Sequence, residues 1–400
     1  MLKAARRLFL AAAVVLVPLV GGLLALVPSA SAATLPPIKH VWIIMLENES
    51  YNYSFGSAGD KYAPYLTKTL PSEGALLKDY YGTAHDSLPN YVAMVSGQAS
   101  NYMMAEDCTT FQPFLAFGGE NFDTTTKYGQ LSGEGCVFPK SVQTVGNELS
   151  SAGLTWKEYA QDMGNDPKRD KSVMTANGPA CGHPALGQTD LTDTTGPAND
   201  SYATRHNGFM YFESVIGNQS FCDAHDLSLQ PLAKDLESVA TTPNYSFITP
   251  NTCYDGHDWP KCQNGSPGRL PKIEDFLQEW VPKIMASPAY KQNGMILITF
   301  DESGDDSDAG ACCGQFDSLG YSDPSHPNIN ENGLYGPGGG RVGAIVLSPF
   351  VKPGTVSTQP YNHYSQLKTV EQLFGLKYLG DSKQPQVQSF GPDVFTNPRG

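Results

Sequence analysis

Five short apolar runs constrain this 400-residue chain more than any other feature: HVWIIML (40–46), TWKEYA (155–160), NYSFITP (244–250), MILITFD (295–301) and RVGAIVLS (341–348). Runs of this length and composition read as buried parallel strands. Helical patterns lie between and after them. SLPNYVAMVSG begins at Ser87, KIEDFLQEWVPKIM spans 272–285, and YSQLKTVEQLFG spans 364–375, with a serine cap near Ser365 and a stop at Gly375. Strands alternating with helices predict an α/β fold, a mostly parallel central sheet with helices on both faces. The stretch 98–240 is rich in Gly, Thr, Asn and Asp and holds four cysteines. It reads as loop-rich insertions over the sheet rather than a second core. The expected organisation is a single domain over 33–380 and a loop-like tail over 381–400.

The first 32 residues are expected to be a secretory signal peptide. Lys3, Arg6 and Arg7 precede a long apolar run that ends in PSASA, with Ala30 and Ala32 at signal-peptidase spacing. An uncleaved anchor is the alternative, which Pro18, Gly21 and Gly22 disfavour by interrupting the run. ARRLFL also resembles a twin-arginine export signal. The expected location is extracellular, with no stable membrane span in the mature chain. All eight cysteines follow residue 32, and an even count in an exported chain suggests disulfides. Sequence neighbours are the first pairs to expect: 108 with 136, 181 with 222, 253 with 262. Adjacent Cys312 and Cys313 would pair only with strain.

The formal charge is −14, and losing three positive and no negative charges with the signal leaves −17. Such a chain has no basic face for nucleic acid. It also repels phosphate esters at long range, so phosphate chemistry here requires a local cation.

Ligands of open parallel sheets sit at the carboxyl ends of strands. The first run leads directly into ENES and offers Glu47 and Asn48; MILITF leads into DESGDD and offers Asp301 and Glu302. Three carboxylates and an amide suit a hard divalent cation, which would also relieve their repulsion. The plainer readings are a turn at Glu47–Asn48 and a solvated acidic loop at Asp301–Glu302. A calcium loop over 304–317 is disfavoured, because the EF-hand spacing is missing. Asp86 or Ser87 is placed to cap the helix that follows, with Pro89 in its first turn. That same position offers free N–H groups to an anion, and a serine there is a candidate nucleophile. His85 and Asn90 lie beside it. Asn251, Asp255, His257 and Asp258 follow the third run, while His206 and His363 stand in TRHNGF and YNHYS.

Together these residues carry a resemblance. IKHVWIIMLENESYNYSFG resembles the opening of the phosphoesterase family that includes bacterial phospholipases C and acid phosphatases, within the alkaline phosphatase superfamily. HDSLPNYVAMVSG resembles its nucleophile segment, ITFDES its metal-binding pair, RHNGFMYF its His-Asn-Pro segment, and YNHYSQLKTVEQLFGL its closing His-Tyr-Ser helix. The resemblance implies an alkaline-phosphatase-like fold and a metal-dependent enzyme hydrolysing phosphate esters through a phosphoserine at Ser87. It implies Glu47, Asn48, Asp301 and Glu302 as ligands of a divalent metal ion. His85, Asn90, His206 and Asp255 would surround the phosphate, and His363 or His257 would serve as acid and base. Two positions depart from the family pattern: Glu49 stands where many relatives carry Arg, and Gly208 replaces Pro. The short chain is more similar to secreted acid phosphatases, including those resembling phosphatidylinositol 3-phosphate phosphatases, than to phospholipases C. Monoesters, phosphoinositides among them, are therefore expected ahead of diesters. Two rivals are a GDSL-like serine esterase, for which DPSH (323–326) supplies an Asp-His pair, and a non-catalytic secreted binding protein.

Overall fold

A computed structural model describes residues 35–116, 128–192, 195–304, 310–313, 328–329, 335–336 and 338–397. The proposed signal peptide, most of the acidic loop and the DPSH segment lie outside them. Among the described residues no helix is long and apolar enough to cross a membrane.

Ten strands form one sheet: β1 (His40–Leu46), β2 (Ala75–Leu77), β3 (Trp156–Ala160), β4 (Val173–Thr175), β5 (Gly178–Ala180), β6 (Asp226–Ser228), β7 (Tyr245–Thr249), β8 (Gly294–Phe300), β9 (Ala344–Leu347) and β10 (Thr355–Ser357). Their order is β10-β2-β9-β8-β1-β7-β3-β6-β5-β4. The central five, β8-β1-β7-β3-β6, are parallel. Every side chain of β1, β7 and β8 is buried, which is why these strands read as continuous apolar runs.

Helices cover both faces. On one, Tyr91 of α1 (Ser87–Ser96) meets Phe247 of β7, ring centroids 6.1 Å apart. On the other, Trp42, one residue out of phase with Ile43 and Phe247, meets Tyr290 of the helix Pro288–Asn293. That helix packs against α2 (Leu270–Ala286). A third long helix, α3 (His363–Phe374), packs on α1. Its cap is Asn362 rather than Ser365. The Asn362 carboxamide accepts from Ser365 N (3.0 Å), while Ser365 Oγ accepts from Asn362 N (3.1 Å), a reciprocal capping box. Gly375, at φ +66°, ends α3 as expected.

Three expectations change. The run at 341–348 forms β9, which is antiparallel to both of its neighbours. An antiparallel return needs no crossover helix, and the described residues between β8 and β9 contain none. The stretch 98–240 is more than insertion, since it supplies β3, β4, β5 and β6. The last three of these are three residues long, too short to leave a period in the sequence. The tail beyond 380 is irregular but packed, with Val387, Phe390 and Val394 fully buried. The three expected cysteine pairs form, Cys108–Cys136, Cys181–Cys222 and Cys253–Cys262, and the adjacent Cys312 and Cys313 pair as well.

Phe247 is buried between Tyr91 and Phe209. Phe247→Ala is therefore expected to cost about 3–5 kcal/mol of unfolding free energy. Urea denaturation of the purified variant checks this, and a loss under about 1 kcal/mol would remove Phe247 from the core that seats α1.

Candidate active site

The site is built where β1 and β8 end side by side. Leu46 pairs with Phe300, so Glu47 and Asp301 leave the sheet together. The backbone ties the ends: Asp301 N donates to Leu46 O (2.9 Å), and Glu47 N donates to Asp255 O (2.9 Å) in the loop after β7. Asn48 turns in the left-handed region (φ +50°), and its N–H donates to Asp301 Oδ1 (2.9 Å). Three carboxylates, those of Glu47, Asp255 and Asp301, are thus fully buried at neighbouring loop starts.

Ser87 faces this cluster from the first turn of α1. Its Oγ donates to Glu47 Oε2 at 2.7 Å. Tyr91, one turn further along the same face, donates to Glu47 Oε1. Burial, and then the Glu47 charge, push the Tyr91 hydroxyl well above its usual range, so it remains a donor. His206 stacks flat on Tyr91, with centroids 5.4 Å apart and planes 1° apart. Its Nδ1 donates to Asp255 Oδ2 (3.1 Å), which leaves Nε2 buried, without a hydrogen-bond partner, 3.5 Å from Glu47 Oε2. Burial holds His206 well below its usual pKa, so the ring is neutral. Gly208 fits a tight approach here. A Cβ would meet the Tyr91 carbonyl oxygen at 2.7 Å, so the family's proline has no room.

Three of these donors are grouped as a metal ion would need them. Ligand atoms of Glu47, His206 and Asp255 lie within 4.8 Å of one another. One terminal atom of the Asn48 amide lies 3.2 Å from each Asp301 carboxylate oxygen and 3.0 Å from Glu47 Oε2. As nitrogen it donates to all three, so the Asn48 amide links the Glu47 and Asp301 carboxylates. Burial, and then mutual repulsion, raise the Glu47 carboxyl well above its usual range. Asp301 is pushed up to about 7, mostly by burial and then by Glu302. Asp255 is raised as well, first by burial. A divalent ion held by these residues would relieve that repulsion in place of the protons.

Several expected residues take other positions. Glu302 stands near enough to Asp301 to raise its carboxyl, and its own oxygens meet the loop before Ser87. Its Oε2 meets His85 Nδ1, and its Oε1 accepts from Asp86 N (3.1 Å), so it anchors the loop before Ser87. Asn90 gives its whole amide to the same loop. Its Oδ1 accepts from Thr83 N (2.8 Å), Thr83 Oγ1 (3.0 Å) and Ala84 N (3.1 Å); its Nδ2 donates to Ala84 O (2.8 Å) and Asp86 O (2.9 Å). No capacity is left for a phosphoryl oxygen, so Asn90 positions the loop. Asp86, at φ +66° and ψ 155°, is held in a region L-residues rarely adopt. His363 is fully buried, its Nε2 donating to the Asp301 carbonyl (2.7 Å) and its Nδ1 accepting from Tyr80 OH (3.2 Å). Burial lowers it to about 4. It orients Asp301 and has no free nitrogen for proton transfer. His257 stands at the edge of the site, partly exposed, with Nδ1 3.4 Å from Asp258 Oδ1.

Three partners were not picked out from the sequence. Tyr91 was readable, because i and i+4 share a helix face. Arg205, beside His206, places Nη2 3.2 Å from His257 Nε2 and Nε 3.3 Å from Asp107 Oδ2. Asp107 caps α1 from a distant loop, accepting from Leu88 N at 2.9 Å, and nothing local in the sequence marks it. Ser87 Oγ donates to a glutamate, whereas the serine of a GDSL esterase donates to a histidine; DPSH, the pair expected for that reading, lies outside the described residues.

The Phosphoesterase family profile matches residues 60–377. A probable acid phosphatase of Kluyveromyces lactis is 24% identical over 345 residues, which cover 86% of this chain and 59% of that protein. The phosphatidylinositol-3-phosphatase of Mycobacterium tuberculosis is 24% identical over 350 residues, 88% of this chain and 81% of its own length. An acid phosphatase of Aspergillus fumigatus is 24% identical over 337 residues, 84% of this chain and 55% of its own length. The chain thus spans little more than half of the two fungal relatives. A solved structure from Vibrio parahaemolyticus, a protein in the alkaline phosphatase superfamily, aligns over 86% of this chain and 69% of that one, with TM-score 0.42 and 12% identity. The match from residue 60 to residue 377 takes in the helix of Ser87 and the strands leading to Asp255 and Asp301, and the chain belongs to the Phosphoesterase family.

Proposed function

We propose that this chain is an exported, metal-dependent phosphatase that hydrolyses phosphate monoesters through a phosphoserine at Ser87. The observation that carries this reading is the 2.7 Å hydrogen bond from Ser87 Oγ to Glu47, made at the N-terminus of α1 beside a buried donor set. The names of the relatives agree, and that of the mycobacterial one makes phosphoinositides the first lipid substrates to test. Four disulfides agree with an oxidising destination.

Glu47, Asn48, Asp255, Asp301 and His206 are the residues that would hold the divalent ion. Bound there, the ion would act as a Lewis acid, lowering the pKa of an adjacent hydroxyl and neutralising charge on phosphoryl oxygens. Glu47 takes the Ser87 proton as Oγ attacks phosphorus in line with the leaving oxygen. The Oγ–P bond forms as the ester P–O bond breaks. Arg205 and the N–H groups at the start of α1 face the equatorial oxygens. Glu302 and Asn90 keep the loop in place, and Tyr91 fixes the Glu47 carboxylate. His257, rather than His363, protonates the leaving oxygen and later deprotonates the water that cleaves the phosphoserine, because it reaches solvent. A diesterase of the phospholipase C type is the second reading, and the substrate pair below decides between them.

The mature protein is to be assayed on p-nitrophenyl phosphate and bis-p-nitrophenyl phosphate, with and without EDTA, beside Ser87→Ala. Monoester turnover lost in EDTA, and reduced about 10³-fold or more in the variant, is the expected result. Full activity of Ser87→Ala would sink the nucleophile. A preference for the diester would favour the second reading, and inactivity on both esters the binding protein. Stability gives an independent readout. Without metal, the folded protein holds protons on Glu47, Asp255 and Asp301 that the unfolded chain releases near an ordinary carboxyl pKa of about 4. The folded state binds more protons, so metal-free stability falls as pH rises from about 4 through about 7. Added divalent ion should raise Tm most at the upper end. Thermal melts in EDTA and in Mn²⁺ at about pH 5 and about pH 7.5 check this, and an equal ion-induced shift at both values would contradict it.

A further inference from the structure

Asp107 lies on the two anion-recognising groups nearest Ser87. Its Oδ1 accepts from the N–H of Leu88 in the first turn of α1 (2.9 Å), and its Oδ2 lies 3.3 Å from Nε of Arg205. Arg205 is buried, and its Nη2 reaches His257. The helix N–H and the guanidinium are groups that a phosphoryl oxygen beside Ser87 would seek. A carboxylate and a phosphate monoester both present paired anionic oxygens, and arginine binds both in the same forked manner. The loop that delivers Asp107 is also held in an unusual form. Asp107 and Cys108 are consecutive non-glycine residues in the left-handed region, at φ +51° and +52°. Such residues persist only where their surroundings over-determine them. Here the Cys108–Cys136 disulfide and the bonds from Asp107 N to Met104 O (3.0 Å) and Cys108 N to Met103 O (3.1 Å) do so.

We propose that Asp107 is an internal competitor of the substrate phosphoryl group, holding the Leu88 N–H and Arg205 until a phosphate displaces it. The proposal rests on the reading of Ser87 as the phosphoryl-transfer site and adds a specificity determinant to it. Displacement costs the carboxylate two charge-assisted contacts. A dianionic monoester regains both with greater charge than a monoanionic diester, so Asp107 discriminates against diesters. Release of Arg205 from Asp107 also lets the guanidinium swing toward phosphate and frees His257 Nε2 for proton transfer.

The test is Asp107→Asn. Asparagine tolerates the left-handed region, retains an oxygen for Leu88 N–H, and removes the negative charge facing Arg205. Calorimetric titration with inorganic phosphate is carried out on the full mature chain, in the Ser87→Ala background with and without Asp107→Asn. We expect the Asp107→Asn protein to bind phosphate at least about fivefold more tightly. With Ser87 intact, the variant should show a lower KM for p-nitrophenyl phosphate and a higher ratio of diester to monoester kcat/KM. Equal or weaker phosphate binding in the variant would overturn the proposal and leave Asp107 a helix cap that orients Arg205. Phosphate binding by neither protein would overturn it too. Titration needs no turnover, so tighter phosphate binding in a protein that hydrolyses no ester would count against the hydrolytic reading and not against the role of Asp107.

Discussion

The structure depends on one electrostatic problem: three carboxylates are buried within reach of one another, at the ends of parallel strands. Charges removed from water are costly unless paired or neutralised. Glu47, Asp255 and Asp301 are fully buried, and each is pushed toward its neutral form. Almost every polar group around them bears on that problem. Tyr91 and Ser87 donate to Glu47, His206 donates to Asp255, and Asn48 donates its backbone N–H to Asp301. His206 Nε2 stays buried without a hydrogen-bond partner, 3.5 Å from Glu47 Oε2. A cluster that is partly satisfied in this way is a poor structural device but a good receptor for a divalent ion.

The fold makes this possible through register. Adjacent ends of β1 and β8 place Glu47 and Asp301 side by side, and β7, on the other flank of β1, directs the loop of Asp255 back to the Glu47 N–H. α1 then approaches from the Phe247 face and brings Ser87 and Tyr91 down onto one glutamate. Strand ends set Glu47 and Asp301, and a helix terminus sets Ser87. Where loops do contribute, they are stapled. Asn90 and Glu302 hold residues 83–86, and Cys253–Cys262 closes the segment that carries His257.

The parts of the site that follow directly from strands were legible in the sequence. An apolar run that stops at Glu47, and another that stops at Asp301, state in one dimension what the sheet does in three. The helix of Ser87 was legible for the same local reason. What could not be read was the division of labour, because it depends on tertiary distances. Asn90 has the residue type of a phosphate contact, yet its amide is spent on the loop. His363 resembles an acid–base residue but supports the Asp301 carbonyl. Asp107 reaches Leu88 from a loop 19 residues further along the chain, and no period or motif foretells that. The three-residue strands β4, β5 and β6 failed for a related reason. Their place in the sheet comes from neighbours, not from their own composition.

The departure at Glu49 shows how charge is balanced in so acidic a chain. The family resemblance places an arginine there, and its loss would leave the site's rim without a cation. The structure supplies one from elsewhere. Arg269, at the start of α2, sets Nε 2.6 Å from Glu49 Oε1 and Nη2 3.2 Å from Oε2. Its guanidinium lies over the Tyr53 ring at 4.4 Å and the Trp259 ring at 5.4 Å. Glu49 is buried and Arg269 is partly exposed, so the acid serves as an anchor and the base faces outward. A forked guanidinium held between a carboxylate and two rings has little freedom left to lose. The positive charge is therefore moved from the end of β1 to the start of α2. Both arginines are paired with carboxylates, Arg205 with Asp107 and Arg269 with Glu49, so each cation is balanced locally.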